Sequence, residues 1–383
     1  MPLSHLNAAD RPRIPMFLMT TRTRALALLL LSFACGARRA AAQPGADSLV
    51  ARPRITMLPV IGSAPETGFQ FGITALRMYL LGSDTSTRTS QQQAYAVYTT
   101  KSQARGFLQV DRWSRGNEWR VRGRAEYQSF PLPFYGIGDG APDEAEEWYT
   151  SSGPSLQLLV QRRVSGPVFV GGAALVTDVT IRELEPGRAL ASGAVLGARG
   201  GTVVQAQGFI ARDSRDHVLA ARRGQLLQLT STLSERTLGS DYNFGRYALD
   251  ARRYWSFGSA GHVIAAQILA EATSGRAPFD QLVQVGGDNA FRGYTRGRYR
   301  DRHGLYGQAE YRSPFVKRLG MVAFAGGGGV APSLDKLVEA KLLPTFGIGL
   351  RALLVPAQRA TIRIDYARGK GSSGLYIGLS EAF

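Results

Sequence analysis

The nine residues 119–127 read WRVRGRAEY, and their alternation decides the fold. Successive side chains of a β-strand point to opposite faces. One face of this segment carries Trp119, Val121, Ala125 and Tyr127, and the other carries three arginines and a glutamate. The first face suits lipid and the second suits water, because charges are too costly to bury in a dry core. The segment therefore predicts a strand in a barrel with an aqueous lumen.

The same alternation returns in residues 359–366, RATIRIDY, where a helix would place the arginines beside Ile362 and Tyr366. Similar runs, separated by turn signals, begin near Arg54 and continue to the end of the sequence, and counting them gives about 16 strands. Lipid offers no partner to an open strand edge, so these strands must close on themselves. We predict an all-β fold, a transmembrane antiparallel β-barrel. The alternative, a secreted β-sandwich, needs shorter strands and an apolar inner face.

The N-terminus has the features of a signal peptide. Arg22 and Arg24 precede an apolar run that ends at Cys35, and a small-residue triplet ends at Ala42. The run is about half of the ~20 residues that a membrane-spanning helix needs. We predict a signal peptide at 1–42, a short periplasmic segment at 43–53 and an outer-membrane barrel domain at 54–383. A lipoprotein signal at Cys35 is the alternative, but two arginines follow it at once.

Composition excludes several classes of protein. The chain has 383 residues, 44% of them apolar, and its one cysteine, Cys35, lies in the predicted leader. A disulfide framework and a thiolate metal site are therefore excluded from the mature chain, and we expect no cofactor and no metal. The net charge is +17, but the arginines alternate with apolar residues and do not cluster on a helix or tail. We expect no nucleic-acid partner; lumen water, outer-membrane lipid and lipopolysaccharide phosphates suit this charge better.

Three further segments follow one another in a distinctive order. Residues 208–216 read GFIARDSRD, residues 286–294 read GGDNAFRGY, and residues 307–314 read GQAEYRSP. Together they resemble the barrel domain of the BamA/TamA-type outer-membrane assembly-factor superfamily, the bacterial surface antigen family. The resemblance covers roughly 54–383, and it places the second segment in a long connection between the eleventh and twelfth predicted strands.

The resemblance implies that this long extracellular loop folds into the lumen. Its tip would be Arg292, Gly293 and Tyr294, and Arg292 would pair with Glu310 on the strand that follows. The alternative is an exposed basic loop in which Arg292 contacts only water.

Two other sets of residues complete the predicted sites. Asp213, Arg215 and Asp216 would form a capped periplasmic turn, for which a metal site is the weaker alternative. Tyr376, Gly378 and Phe383 would form the C-terminal sorting signal that the barrel assembly machinery recognises. Glu381 departs from that signal, because an apolar or aromatic residue is usual there.

The resemblance implies assistance in the insertion or translocation of client outer-membrane proteins. The segment 43–53 leaves no room for the periplasmic POTRA domains of assembly factors, so a separate subunit could supply them. Pro59 removes one donor from the first strand, which favours a weak seam and a lateral gate, although it could simply mark a strand end. The alternative function is a plugged pore or structural protein of the same ancestry. His217, His262 and His303 form no catalytic arrangement, so we do not expect an enzyme.

Overall fold

The computed structural model describes residues 55–64, 67–81, 87–259, 261–355 and 359–383. The predicted signal peptide and the segment 43–53 lie outside them. The strands of the described residues are β1 (Ile55–Ala64), β2 (Gly68–Tyr79), β3 (Ser90–Thr99), β4 (Ala104–Trp113), β5 (Trp119–Phe134), β6 (Glu147–Ser165), β7 (Val168–Arg182), β8 (Gly200–Asp213), β9 (Gly224–Ser234), β10 (Phe244–Phe257), β11 (His262–Gly275), β12 (Val283–Gln284), β13 (Arg300–Asp301), β14 (His303–Arg312), β15 (Leu319–Ala331), β16 (Leu343–Val355), β17 (Ala360–Gly369) and β18 (Ser372–Leu379).

Five single-turn 3-10 helices lie in the connections of the described chain, at Arg115–Asn117, Asp143–Ala145, Arg236–Leu238, Phe279–Gln281 and Asp335–Val338. None of the helices in the described part of the chain has the length and apolar character that a membrane crossing requires.

Sixteen of the described strands form one closed antiparallel barrel. Each pairs with its neighbours along the chain, β11 pairs with β14, and β18 returns to β1; β12 and β13 form a separate small hairpin. The prediction of an antiparallel barrel of about 16 strands is confirmed. The first strand begins at Ile55, next to the predicted start near Arg54, because the alternation of apolar and polar residues begins there.

The two faces of the barrel differ as the alternation predicts. On β5, Trp119 is exposed on the outside, whereas the arginines at even positions point inward. These inward charges are paired: Arg120 lies 2.6 Å from Asp111, and Arg124 lies 2.6 Å from Glu126. Pairing lowers the cost of placing charge inside the barrel.

The connections differ between the two ends of the barrel. The end at which β1 begins and β18 ends, called the termini end, has short turns such as 166–167 and 313–318. The opposite end, called the loop end, has the longer connections 135–146, 183–199, 276–302 and 332–342.

Candidate functional site

The connection 276–302 between β11 and β14 is folded against the inner face of the barrel. Its buried side chains Val285, Phe291 and Tyr294 share a cluster with Tyr306 of β14 and Leu343 of β16. The rings of Phe291 and Tyr306 lie 4.0 Å apart. On β14 and β16, the side chains that point outward are exposed on the outer surface. The side chains that pack against the connection point to the opposite face, so the connection lies in the lumen.

Arg292 is enclosed completely at the tip of this connection. Its Nη1 donates to Oδ2 of Asp365 at 2.7 Å, and its Nη2 donates to Glu310 and, at 3.2 Å, to Gln308. The guanidinium also stacks on the ring of Phe324 at 3.5 Å from the centroid. The structure thus brings Arg292 and Glu310 together. The second carboxylate, Asp365, was not predicted as a partner, although it lies on the polar face of the alternating segment 359–366.

Gly293 and Tyr294 fasten the tip to the last strands. Gly293 has φ +104°, and a Cβ there would lie 2.7 Å from the backbone of Arg368 on β17. Its N–H donates to the Tyr376 hydroxyl at 2.8 Å. The Tyr294 hydroxyl donates to the carbonyl of Pro344 at 3.0 Å and accepts from the N–H of Lys370 at 2.9 Å. The tip therefore contacts β16, β17, β18 and the turn before β18.

The contacts of Arg292 continue into a lumenal ion network. Glu310 accepts a second hydrogen bond from Arg312 at 2.9 Å, and Asp365 accepts one from Arg351 at 2.5 Å. Arg351 donates in turn to Glu381 at 2.7 Å. The network consists of Arg292, Arg312, Arg351, Glu310, Asp365 and Glu381. None of these six side chains is more than 7% exposed.

The last four residues turn into the lumen and do not extend β18. Ser380 has φ +65°, a conformation that directs the backbone away from the strand. Phe383 packs with Tyr254 of β10 and Ala265 of β11, which are six and five strands away from β18 around the barrel. Arg312 donates to the main-chain oxygen of Phe383 at 3.0 Å. We call residues 380–383 the tail, and it connects the ion network to the termini end.

The residues of the predicted sorting signal all face the lumen. Tyr376 contacts the loop tip, Phe383 belongs to the tail, and a Cβ at Gly378 would lie 3.2 Å from Nε of Arg363. Glu381, the departure from the expected pattern, is a member of the ion network. Recognition by the assembly machinery stays a prediction.

The turn 214–223 lies beside the tail at the termini end. Asp213 accepts from Nε of Arg215 at 2.9 Å and also pairs with Arg88 at 2.9 Å. Asp216 accepts from two backbone N–H groups of its own turn and from Arg359 at 2.7 Å. Burial alone would raise the pKa of the Asp216 carboxyl, but these donors outweigh burial and hold the pKa below its usual range. The three predicted turn residues are therefore arranged as a capped turn.

The seam between β1 and β18 has little backbone pairing. One pair, Ser63 with Ile377, joins these strands in the described residues, whereas ten pairs join β1 to β2. Pro59 of β1 has no N–H to donate.

The hydrogen-bond partners of His217 and His262 lie outside the ion network. His262 bonds to the hydroxyl of Tyr311 at 2.7 Å, and Nδ1 of His217 accepts from the backbone of its own turn. Within the described ranges no group of His, Cys, Asp and Glu is placed to hold a metal ion.

Solved structures with the same fold include two bacterial proteins. BamA from Haemophilus ducreyi lacking POTRA domains 1–3 is 14% identical with a TM-score of 0.58, over 86% of this chain and 70% of that chain. CdiB from Acinetobacter baumannii is 10% identical with a TM-score of 0.54, over 84% of this chain and 59% of that chain. No curated protein matches in sequence. A family model described as the Omp85 superfamily domain matches residues 86–383, so the chain belongs to the Omp85 superfamily.

Proposed function

We propose that this barrel assists the insertion or translocation of client proteins at the outer membrane by opening between β1 and β18. The single backbone pair at this seam is the observation that carries the proposal. A client strand can form backbone hydrogen bonds with a free strand edge, which is the usual mode of strand addition. The Omp85 fold implies an outer-membrane location, and export by residues 1–42 completes the proposal.

The lumenal loop and the ion network would act as the fixed part of this device. They hold the tip against β16, β17 and β18, so one side of the seam keeps its shape while the other side moves. Client capture in the periplasm would come from a separate subunit. Crosslinking in cells, followed by identification of the periplasmic neighbours, tests for that subunit.

The alternative is a plugged pore or a structural barrel without insertase activity. One observation favours it: the loop from one end and the tail from the other both occupy the lumen. Neither proposal involves a catalytic residue. Conductance of the purified barrel in planar bilayers and insertion of a second barrel into liposomes separate the two functions.

A disulfide across the seam tests the gate directly. Directly paired residues have Cα atoms about 4.5–5.5 Å apart, which a disulfide can bridge. We expect Ser63→Cys with Ile377→Cys, in a Cys35→Ser background, to lose insertion activity on oxidation and to regain it on reduction. The matched control is Phe71→Cys with Tyr98→Cys, a direct pair between β2 and β3. Full activity of the oxidised seam variant would exclude the gate.

A further inference from the structure

Five outward arginines lie near the termini end, on alternate strands. All five are exposed, and each lies within four residues of the end of its strand. They are Arg77 of β2, Arg112 of β4, Arg162 of β6, Arg212 of β8 and Arg253 of β10. We call them the arginine girdle.

The register shows that the girdle is level around the barrel. The row of directly paired residues that starts at Arg77 passes Val110, Leu158 and Ala206 and reaches β10 at Gly245, near the loop end. Such a row rises along the barrel axis because the strands are tilted.

The displacement of each arginine from this row grows by a constant amount from strand to strand, in the direction opposite to the rise. On β4, β6, β8 and β10 they lie two (112 − 110), four (162 − 158), six (212 − 206) and eight (253 − 245) residues farther toward the termini end than the row. A displacement of two residues for every two strands runs against the rise of the row and therefore keeps the five side chains near one height.

Aromatic rings mark this height as a membrane interface. Arg162 lies over the ring of Trp119 at 5.2 Å, and Arg253 lies over the ring of Trp255 at 5.8 Å. Trp119 and Trp255 are both exposed on the outer surface. Tryptophan is enriched where hydrocarbon meets headgroups, and arginine beside it can reach the phosphates while its stem stays in the apolar layer.

The protein supplies almost no counter-charge to the girdle. Among the described residues, the one carboxylate within 4.0 Å of a girdle arginine is that of Glu118, which is 4.0 Å from Arg162 and 56% exposed. Arg77 and Arg253 donate to neutral glutamines at 3.3 and 2.6 Å. The outward residues of β1 near this end, such as Ile55 and Met57, are apolar. The band of positive charge therefore covers the side from β2 to β10 and is absent from β1.

We propose that the arginine girdle binds the phosphate groups of anionic phospholipids in the leaflet around the termini end. In the predicted orientation this is the periplasm-facing leaflet. Zwitterionic lipids carry a compensating cation beside each phosphate, so the uncompensated arginines select the anionic headgroup. Lipid is held in this way on the side from β2 to β10 and is free to exchange at β1.

Tryptophan quenching by brominated lipids tests the proposal, because bromine quenches only rings that it contacts. The protein is reconstituted with a Trp148→Phe change. Trp113 is 4% exposed and out of reach of lipid, so Trp119 and Trp255 report on the girdle. We expect brominated phosphatidylglycerol to be preferred over brominated phosphatidylcholine by about fivefold at low salt. The preference should disappear near 1 M salt, where the Debye length is about 3 Å.

Two variants assign the preference to the girdle. Replacing the five girdle arginines with glutamine should abolish it. The control replaces five exposed arginines at the loop end with glutamine: Arg199, Arg236, Arg276, Arg302 and Arg368. It should keep the wild-type preference. Gel mobility before and after heating shows whether each variant is folded.

A single change gives a second readout should the fivefold variant fail to fold. In the Trp148→Phe background, Arg162→Gln with Trp255→Phe leaves Trp119 as the reporter beside the buried Trp113, and the preference at Trp119 should be lost. Equal quenching by the two lipids in the wild type, or an equal loss in the loop-end control, would overturn the proposal. Lipopolysaccharide that displaces phosphatidylglycerol from the girdle would overturn the choice of lipid.

Discussion

At the scale of single residues, the lumenal ion network is balanced by charge. Three arginines meet three carboxylates, and Arg363 beside them adds a further buried cation whose partner Asp288 is 61% exposed. Loss of a carboxylate therefore leaves an excess of enclosed positive charge. Loss of Arg292 leaves an excess of negative charge, which the buried Arg363 can offset. The loss of Glu310 should therefore cost more stability than the loss of Arg292.

This inequality predicts the order of two substitutions. We expect Glu310→Ala to lower the free energy of unfolding by about 3–5 kcal/mol, and Arg292→Ala to lower it by about 1–3 kcal/mol. Urea unfolding in detergent micelles measures both values, and the double variant should lose less than their sum. The control is Glu271→Ala, whose partner Arg246 is 35% exposed, with an expected loss of about 1 kcal/mol or less. The reverse order, or strict additivity, would show that the network does not act as a unit.

The sequence predicted the pairing of two of the six members of this network. The Arg-Gly-Tyr tip and the strand after it predicted that Arg292 and Glu310 would meet. Asp365 and Arg351 are distant in sequence, and they meet the tip because the connection crosses the inner face of the sheet to β16 and β17. The alternation predicts that such residues face the lumen, but it does not predict which of them touch.

At the scale of elements, the tail is where sequence and structure differ most. The pattern of a terminal strand predicts an apolar or aromatic residue at position 381, and Glu381 departs from it. In the structure β18 has already ended at Leu379, so Glu381 no longer occupies a strand position. Its carboxylate accepts from Arg351, and sequence alone gave no sign of that distant partner.

Placing an apolar residue at position 381, as the usual pattern has it, should therefore lower the stability of the protein. We expect Glu381→Leu to lower the temperature at which the folded band disappears on unboiled gels, because Arg351 and Arg312 lose a buried acceptor. Glu339→Leu is the control, since Glu339 is 65% exposed and pairs only with Lys336 in the described chain. A more stable or better assembled Glu381→Leu protein would mean that position 381 acts through the sorting signal and not through the ion network.

Deletion of Phe383 should also reduce assembly, since its ring packs in the lumen.

At the scale of the whole molecule, the alternation predicted the barrel and its number of strands. That success has a physical reason: every strand separates lipid from an aqueous lumen, so each one carries the same period-two pattern. The relationship to the assembly-factor superfamily is confirmed by the Omp85 match and by the shared fold. The alternation does not reveal that backbone pairing is weaker at one place in the barrel. That difference depends on how the first and last strands meet.

This unevenness predicts where the barrel opens first. Sixteen direct pairs join β5 to β6 and eight join β17 to β18, but a single described pair joins β18 to β1. Local opening is easiest where backbone hydrogen bonds are fewest. In hydrogen exchange followed by mass spectrometry, we expect amides of β1 and β18 at the seam to exchange at least about tenfold faster than those of β5 and β6.

The loop tip should limit this opening from the inside. The N–H of Gly293 donates to the hydroxyl of Tyr376 on β18, so Tyr376→Phe removes one contact between loop and seam. We expect faster exchange in β18 and no change in β5 or β6. Tyr149→Phe is the matched control, because it removes a buried hydroxyl on β6, five strands from β1, and it should leave exchange in β18 unchanged. Uniform protection around the barrel would contradict the weak seam. A change in β5 as large as that in β18 would mean instead that Tyr376 stabilises the whole barrel and has no particular hold on the seam.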